Sequence, residues 1–197
     1  SSWQKLKAKT RKSIVAMAKE LLQVYASREL NEGHSFPPPD QVYREFEAAF
    51  EYEETPDQGQ AIAETLVDMA KDKPMDRLIC GDVGYGKTEV AMRAAFMAVM
   101  GGKQVAVLTP TTVLAQQHLE TFRDRFEPYP VRVESLSRFV TGKTVQQSLK
   151  DIALGLVDIT IGTHRLLQSD VAFKHLGLVV IDEEHRFGVG HKEKLKK

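Results

Sequence analysis

The sequence predicts an α/β fold in which helices flank a parallel sheet, with a long amphipathic helix ahead of it. Two observations support this prediction. From Arg77 onward, short apolar runs alternate with helical stretches, an arrangement typical of parallel sheets covered on both faces. A glycine-rich loop at 81–88 also lies between the first predicted strand and the helix that follows it. We therefore expect a doubly wound α/β domain.

The composition is that of an ordinary globular protein. The chain has 197 residues, 27 basic against 27 acidic, and one cysteine, which cannot form an internal disulfide. Its apolar runs are too short to cross a bilayer, so we expect a cytoplasmic protein that does not contact membranes. Charge is segregated: residues 1–12 carry five basic groups, and residues 40–72 carry ten acidic groups against two basic ones. Such blocks are usually solvated helix faces and do not identify a partner.

The amino-terminal part differs from the rest. Apolar residues recur at helical spacing over 13–30, which predicts one amphipathic helix. Three consecutive prolines at 37–39 then impose an extended backbone. We expect a domain boundary here, with an amino-terminal helix and linker over 1–36 and the main domain over 40–197.

The main domain is predicted to alternate helices and strands. Further helices are expected over 41–50, 56–69, 87–100, 112–126 and 144–154. Strands are expected over 77–80, 104–108, 131–136, 158–161 and 178–181. Cys80, at the end of the first strand, is expected to be a small core residue.

The strongest motif is G-D-V-G-Y-G-K-T at 81–88, which fits the phosphate-binding pattern G-x-x-x-x-G-K-[ST]. Its glycines let backbone amides converge on phosphate oxygens at the amino terminus of a helix. Lys87 would supply a positive charge for the terminal phosphates, and the Thr88 hydroxyl would ligate magnesium. The alternative is a glycine-rich turn with a surface lysine, which the flanking strand and helix disfavour.

A second motif is the strand over 178–181 that ends on Asp182 and Glu183. Ligands of parallel sheets bind at the carboxyl ends of strands, so both carboxylates are expected at the same edge as the glycine-rich loop. Asp182 would hold magnesium, and Glu183 would polarise the attacking water. Without the loop, such an acidic pair usually marks a solvated turn.

A weaker motif surrounds Gln58. Its primary amide could both donate to and accept from an adenine edge, and the aromatic ring of Phe50 could stack on the base. Thr55 followed by Pro56 is equally a good helix start. The residues alone leave these two interpretations open.

Together these motifs resemble the first motor lobe of superfamily 2 helicases and translocases. The resemblance is most specific for the branch that holds the RecG helicases and the bacterial transcription-repair coupling factors, and the D-E-E-H form favours the latter. It rests on T-P-D-Q at 55–58, G-D-V-G-Y-G-K-T at 81–88, P-T-T-V-L-A-Q-Q-H at 110–118, I-G-T-H at 161–164 and D-E-E-H-R-F-G at 182–188.

The resemblance implies a RecA-like P-loop NTPase lobe that uses ATP and magnesium. It assigns adenine recognition to Gln58, with Phe50 as a possible stacking ring, and the catalytic roles to Lys87, Asp182 and Glu183. The phosphate-binding residues it implies are Gly84, Tyr85, Gly86, Lys87 and Thr88. The nucleic-acid contacts it implies are Thr111, Thr112, Arg138, Thr163 and His164, and His185 would couple the two sites. For Thr111 and Thr112, a simple helix cap is the alternative.

For the parent protein, the resemblance implies a translocase on double-stranded DNA that displaces stalled RNA polymerase and recruits excision-repair proteins. Residues 1–30 would correspond to a connector helix, although an exposed amphipathic helix is an equal alternative. Since a second motor lobe usually completes such a site, the isolated chain is expected to be a very weak ATPase. The alternatives are a RecG-like enzyme acting on branched DNA, an ATP-silent interaction module and a small-molecule kinase.

Overall fold

The computed structural model describes residues 26, 31–82, 84–136 and 142–183. Most of the predicted amino-terminal helix therefore lies outside the described residues. Arg138 and His185 lie outside them too. Within the described residues, no helix is long and apolar enough to span a bilayer.

Among the residues that the structure describes, five α-helices form where the sequence predicts them. α1 is Gln41–Ala48, α2 is Pro56–Met69, α3 is Lys87–Met100, α4 is Thr112–Phe126 and α5 is Gly142–Leu154. The bounds of α2, α3 and α4 agree with the prediction, because each start carries a clear signal. Thr55 and Gln58 form a reciprocal capping box at the start of α2, and Thr111 caps α4.

In the described part of the chain, four strands form one parallel sheet. They are β1 (Gln104–Leu108), β2 (Val133–Leu136), β3 (Ile159–Gly162) and β4 (Leu176–Ile181), in the order β2-β3-β1-β4. The register aligns Leu136, Gly162, Leu108 and Ile181 in one row across the sheet. Every strand therefore ends at the same edge, and the segments that follow the strands begin there. The predicted α/β class with flanking helices is confirmed.

The predicted strand over 77–80 was wrong. These residues form no strand in the structure, Leu78 is 70% exposed, and Cys80 is exposed where a core residue was expected. Arg77 holds the start of this segment on α2 through hydrogen bonds to Glu64 and Asp68. An apolar run becomes a strand only when a neighbour satisfies its backbone groups, and the sequence run alone does not specify that neighbour.

The core lies between the sheet and the helices on its faces. α3 packs on β1 and β4, and α4 packs on β2 and β3. Aromatic rings join the helices: the ring centre of Phe46 in α1 lies 4.1 Å from that of Phe96 in α3 and 5.1 Å from that of Phe126 in α4. Within α4, the Phe122 and Phe126 rings stack with their centres 5.8 Å apart. All four rings are fully buried. This packing fixes the helix that follows the glycine-rich loop relative to the sheet edge.

The segment before α1 packs against the same core. Phe36 is 6% exposed, and its amide donates to the carbonyl of Met69 at the end of α2. The amide of Gly33 donates to the carbonyl of Asp72, with an N–O distance of 2.7 Å. The predicted boundary between 1–36 and 40–197 remains a prediction.

Candidate functional site

The glycine-rich loop turns sharply into α3. Gly84 has φ +87° and Gly86 has φ +68°, conformations that glycine adopts without steric cost. Gly86 is also the residue that caps α3, and Lys87 is its first helical residue. The exposed amides of this helix start therefore face the loop, which is the arrangement that binds anions.

The side chain of Lys87 folds back from the start of α3 onto the loop. Its ammonium donates to the carbonyl oxygens of Gly81 and Asp82, at 2.5 and 2.7 Å from Nζ. The loop and the start of α2 enclose a cleft of about 400 Å³, lined by residues that include Gln58, Tyr85 and Lys87. A positive charge and a helix amino terminus thus meet at one cleft, which suits a phosphate group.

Gln58 connects α2 to this loop. It is 8% exposed, its Oε1 accepts from the Thr55 amide, and its Nε2 donates to the Gly86 carbonyl at 3.2 Å. The helix-start interpretation of this motif is confirmed, and the same side chain also borders the cleft. Phe50 does not line the cleft; its ring centre lies 5.9 Å from the guanidinium carbons of both Arg93 and Arg125.

The acidic pair follows β4 at the common edge of the sheet. The Asp182 amide donates to the carbonyl of Leu108, which anchors the pair beside the end of β1. Glu183 has φ +55°, a left-handed conformation that costs a residue with a Cβ about 1–3 kcal/mol. Backbone strain of this kind persists only where the surrounding packing holds it in place, and it is found most often at functional positions.

Asp182 is held electrostatically in its ionised form. His118 Nε2 lies 2.8 Å from Asp182 Oδ2, and this hydrogen bond is the largest cause that lowers the pKa of the carboxyl group below its usual value. Partial burial acts against the shift, while the charge of Lys87 adds to it. Thr88 and Asp182 provide the hard oxygen ligands that magnesium prefers, so these residues fit a magnesium-bound nucleotide.

The predicted nucleic-acid residues that the structure describes lie on the same edge. Thr111 Oγ1 accepts from the Leu114 amide, so the predicted cap is confirmed, and Thr112 opens α4. Thr163 precedes a short 3-10 helix at His164–Leu167. The Thr109 amide donates to the carbonyl of Gly162 at 2.9 Å, which joins the segment before α4 to the end of β3.

Sequence reasoning missed His118. The buried positions of α4 are Ala115, Leu119, Phe122 and Phe126. His118 lies three residues after Ala115 and four before Phe122, so helical spacing places it beside this buried face. That spacing was a usable signal, but the partner, Asp182, lies 64 residues away in the chain.

Sequence reasoning also missed a buried ionic cluster behind the loop. Glu89 and Arg93 of α3 are 2% and 1% exposed, and Arg93 Nε donates to Glu89 Oε1 at 2.6 Å. Arg93 further donates to Glu47 at 2.7 Å and to Glu54 at 2.5 Å, and Arg125 donates to Glu89. Burial alone would lower the pKa of Arg93, but its carboxylate partners raise it, so the guanidinium stays charged.

A model of the DEAD/DEAH box helicase family matches residues 55–197. Among curated relatives, the transcription-repair-coupling factor of Bacillus subtilis (strain 168) is 55% identical over 100% of this chain and 17% of its own length. That of Myxococcus xanthus is 57% identical over 100% of this chain and 16% of its own length. That of Escherichia coli (strain K12) is 55% identical over 99% of this chain and 17% of its own length. The chain thus spans about a sixth of the length of these relatives.

A solved structure of RecG bound to a three-way DNA junction has the same fold. It superimposes with a TM-score of 0.78 at 37% sequence identity, over 84% of this chain and 23% of that one. The predicted resemblance to the coupling factors and to the RecG branch is confirmed. With a family model that covers most of its length and a parallel sheet that agrees with a helicase structure, this chain belongs to the DEAD/DEAH box helicases and forms a RecA-like lobe of that family.

Proposed function

We propose that this lobe binds ATP with magnesium and is the first motor lobe of a translocase on double-stranded DNA. One arrangement supports the proposal: the glycine-rich loop and Lys87 open α3, which packs on β1 and β4, and Asp182 and Glu183 follow β4 at the edge where the strands end. An anion-binding loop and an acidic pair at one edge form the arrangement that phosphoryl transfer requires. The membership of the family supports the same conclusion.

Each residue has a role that follows from its position. Lys87, now bonded to the Gly81 and Asp82 carbonyls, would exchange these partners for phosphate oxygens. Thr88 and Asp182 would hold magnesium, which when bound neutralises phosphate charge. Glu183 would orient the attacking water. Gly84, Tyr85 and Gly86 would surround the phosphates.

The remaining assignments follow from the resemblance. Gln58 borders the cleft and would read the adenine edge. Phe50 does not line the cleft, so its proposed stacking on the base rests on the resemblance alone. Thr111, Thr112, Thr163 and His164 would contact nucleic-acid phosphates at the edge that they share, because hydroxyls and free amides there suit such phosphates. Arg138 and His185, outside the described residues, are proposed as a further nucleic-acid contact and as a coupling residue.

At the level of the whole protein, the coupling-factor relatives support a narrower proposal. The lobe would act with a second motor lobe across a cleft, in a protein that displaces stalled RNA polymerase and couples transcription to nucleotide excision repair. Contacts with the polymerase and the repair proteins would come from other parts of the protein. Residues 1–36 would form the connector and 40–197 the lobe.

The test compares Lys87→Ala and Glu183→Gln with Lys150→Ala in the full-length protein. Lys150 is an exposed lysine of α5 and serves as the matched control. Losing a charge-assisted contact worth about 1.5–3 kcal/mol should weaken ATP binding roughly 10–100-fold in Lys87→Ala. Glu183→Gln should bind ATP and lose about 10²–10⁴-fold in DNA-stimulated turnover. Unchanged turnover in both variants would refute the proposal.

The RecG structure favours one alternative, an enzyme that remodels branched DNA. Two assays separate these activities. One measures displacement of RNA polymerase from a stalled transcription complex, and the other measures regression of a synthetic DNA fork. If the full-length protein binds no nucleotide in the presence of magnesium, the lobe is an ATP-silent interaction module.

A further inference from the structure

One side-chain contact joins two parts of the proposed site that are far apart in the sequence. His118, on α4, places its Nε2 2.8 Å from Oδ2 of Asp182, at the end of β4. The two side chains are 15% and 30% exposed, so water competes only partly for this hydrogen bond. Because an ionised carboxylate only accepts, the imidazole must donate from Nε2.

The pose of the His118 ring is set by packing. Its ring centre lies 6.3 Å from that of Phe122, one turn later in α4, with the ring planes 75° apart. Phe122 is fully buried in the core. This edge-to-face contact favours the ring pose in which Nε2 is directed at the carboxylate, so a shift of α4 relative to β4 would change the contact with Asp182.

The other end of α4 carries the proposed nucleic-acid contact. Thr111 caps the helix and Thr112 is its first residue, six residues before His118. At 1.5 Å per residue, the distance along the helix is roughly 9 Å. α4 thus has the proposed phosphate contact at its amino terminus. Nearly two turns later, its His118 bonds the proposed magnesium ligand, Asp182.

We propose that His118 is a positioning residue. Through it, nucleic-acid binding at the start of α4 changes the affinity of the site for magnesium and nucleotide. His118 holds one oxygen of Asp182 and so sets the orientation of this carboxylate. When nucleic-acid phosphates engage the start of α4, the helix moves or stiffens, and His118 transmits the change to Asp182. This inference rests on the proposed function, because it requires both ligands to bind.

Coupling of this kind is reciprocal: if DNA changes the affinity for nucleotide by some factor, nucleotide must change the affinity for DNA by the same factor. Such factors are typically about 5–150-fold. If the contact between His118 and Asp182 only stabilised the fold, its removal would lower the free energy of unfolding and leave the coupling factor unchanged. The two roles are therefore separable by measurement.

The experiment measures dissociation constants in the full-length protein with a fluorescent ATP analogue and a short DNA duplex. Each affinity is determined with and without the other ligand, and nucleotide binding is titrated with magnesium. The variants are His118→Ala, His118→Gln and Gln117→Ala. Gln117 is the exposed neighbour on the same helix and is the control. Urea denaturation reports the stability of each variant.

We expect His118→Ala to bring the coupling factor to about one and to raise the magnesium concentration needed for nucleotide binding by about 10–100-fold, as loss of a residue that orients a metal ligand does. DNA affinity without nucleotide should not change. His118→Gln, whose amide can still donate, should recover part of the coupling, and it serves as the informative variant if His118→Ala fails to fold. Gln117→Ala should match the wild type.

An unchanged coupling factor in His118→Ala and His118→Gln would overturn the inference and leave the contact with a structural role only. A wild-type protein that binds nucleotide with magnesium but shows no coupling to DNA would also overturn it, while the proposed function stands. A wild-type protein that binds no nucleotide would refute the proposed function and this inference together. The second and third results come from the wild type alone, so a failure of the proposed function is recognised before any variant is measured.

Discussion

Arg93 and Glu89 form an ion pair inside the lobe, with Nε and Oε1 2.6 Å apart and both side chains no more than 2% exposed. Glu89 lies in the first turn of α3, directly after the glycine-rich loop, and Arg93 lies one turn later. Arg93 also reaches Glu47 and Glu54, which belong to the acidic stretch before α2. A charge cluster that looks like a solvated surface in the sequence is therefore partly neutralised by one buried guanidinium.

Replacing Arg93 with methionine should lower the free energy of unfolding by about 3–5 kcal/mol, because it leaves the carboxylate of Glu89 buried without its main partner. Urea denaturation followed by circular dichroism measures this change. In the double variant Glu89→Leu/Arg93→Met the loss should be smaller than the sum of the two single losses, since no unpaired charge of the pair then remains.

Lys71→Met is the control for this prediction. Lys71 pairs with Asp68 at 2.7 Å, but its side chain is 57% exposed, so its loss should cost no more than about 1 kcal/mol. If Arg93→Met proved no more destabilising than Lys71→Met, the buried pair would not be the support for α3 that its geometry indicates.

Gly86→Ala should be more destabilising than Gly102→Ala. Both glycines have positive φ, +68° and +72°, so alanine incurs backbone strain of about 1 kcal/mol at either position. At Gly102 nothing lies within 4 Å of the added Cβ, whereas at Gly86 it would lie 2.5 Å from Nε2 of Gln58. The flexible amide can swing away, but it then loses its bond to the Gly86 carbonyl, at a further cost of about 1 kcal/mol.

The comparison of these two glycine variants by denaturant unfolding isolates the contact with Gln58. Gln58→Ala in the Gly86→Ala background should cost less than Gln58→Ala alone, because the bond is already broken. Equal destabilisation by Gly86→Ala and Gly102→Ala would show that only backbone strain matters at the loop.

The fold was largely predictable, because its elements have local signals. α2 begins where Thr55, Pro56 and Gln58 together specify a capped helix start, and the predicted and observed bounds agree. β1 is a short run, apolar after Gln104, whose residues are all buried. The run over 77–80 looks similar, yet Leu78 is exposed, because strand formation depends on a pairing partner that local sequence does not identify.

The candidate site was predictable only in part, for the same reason. Lys87 and Asp182 follow from a loop motif and from a strand that ends on carboxylates, both of which are local patterns. The contact of His118 with Asp182 and that of Gln58 with Gly86 depend on how helices pack on the sheet. Such contacts join residues that are 64 and 28 positions apart, and spacing within one helix shows only that His118 faces inward.

Asp68 should make stability depend on pH in the acid range. Hydrogen bonds from Lys71, and then from Arg77, lower the pKa of its carboxyl group below the usual 3.8. A carboxyl group with a lowered pKa in the folded state stabilises the protein above its unfolded pKa, and this contribution disappears as the pH falls through the folded value. The wild type should exceed Asp68→Asn by no more than about 1 kcal/mol near neutral pH, since the carboxylate is partly exposed.

Urea denaturation of both proteins between about pH 7 and pH 2 checks this dependence. The difference between them should be constant above the usual carboxyl pKa and shrink below it. A difference that grew on acidification would mean that the pairing with Lys71 and Arg77 does not stabilise the ionised carboxylate.

Gln104→Leu should be among the most destabilising single changes in the sheet. Gln104 is 4% exposed, and its Nε2 donates to the carbonyls of Ile152 and Val157 at 3.0 and 2.8 Å. Its Oε1 accepts from the amides of Lys174 and His175 at 2.8 and 3.0 Å. Leucine has a similar volume but leaves these backbone groups without their partner, and each such group that stays buried costs about 1–3 kcal/mol.

The expected loss for Gln104→Leu is therefore at least about 3 kcal/mol, against a few tenths for Gln60→Leu, whose exposed amide bonds Glu64 one turn away. Native-state hydrogen exchange adds a local readout. The amides of Lys174 and His175 should exchange faster in Gln104→Leu by more than the global destabilisation explains, because they lose their acceptor directly. If these two amides exchanged no faster relative to the amides of β4 than in the wild type, water would replace the side chain at no cost. Gln104 would then not connect the loop before β4 to the end of α5.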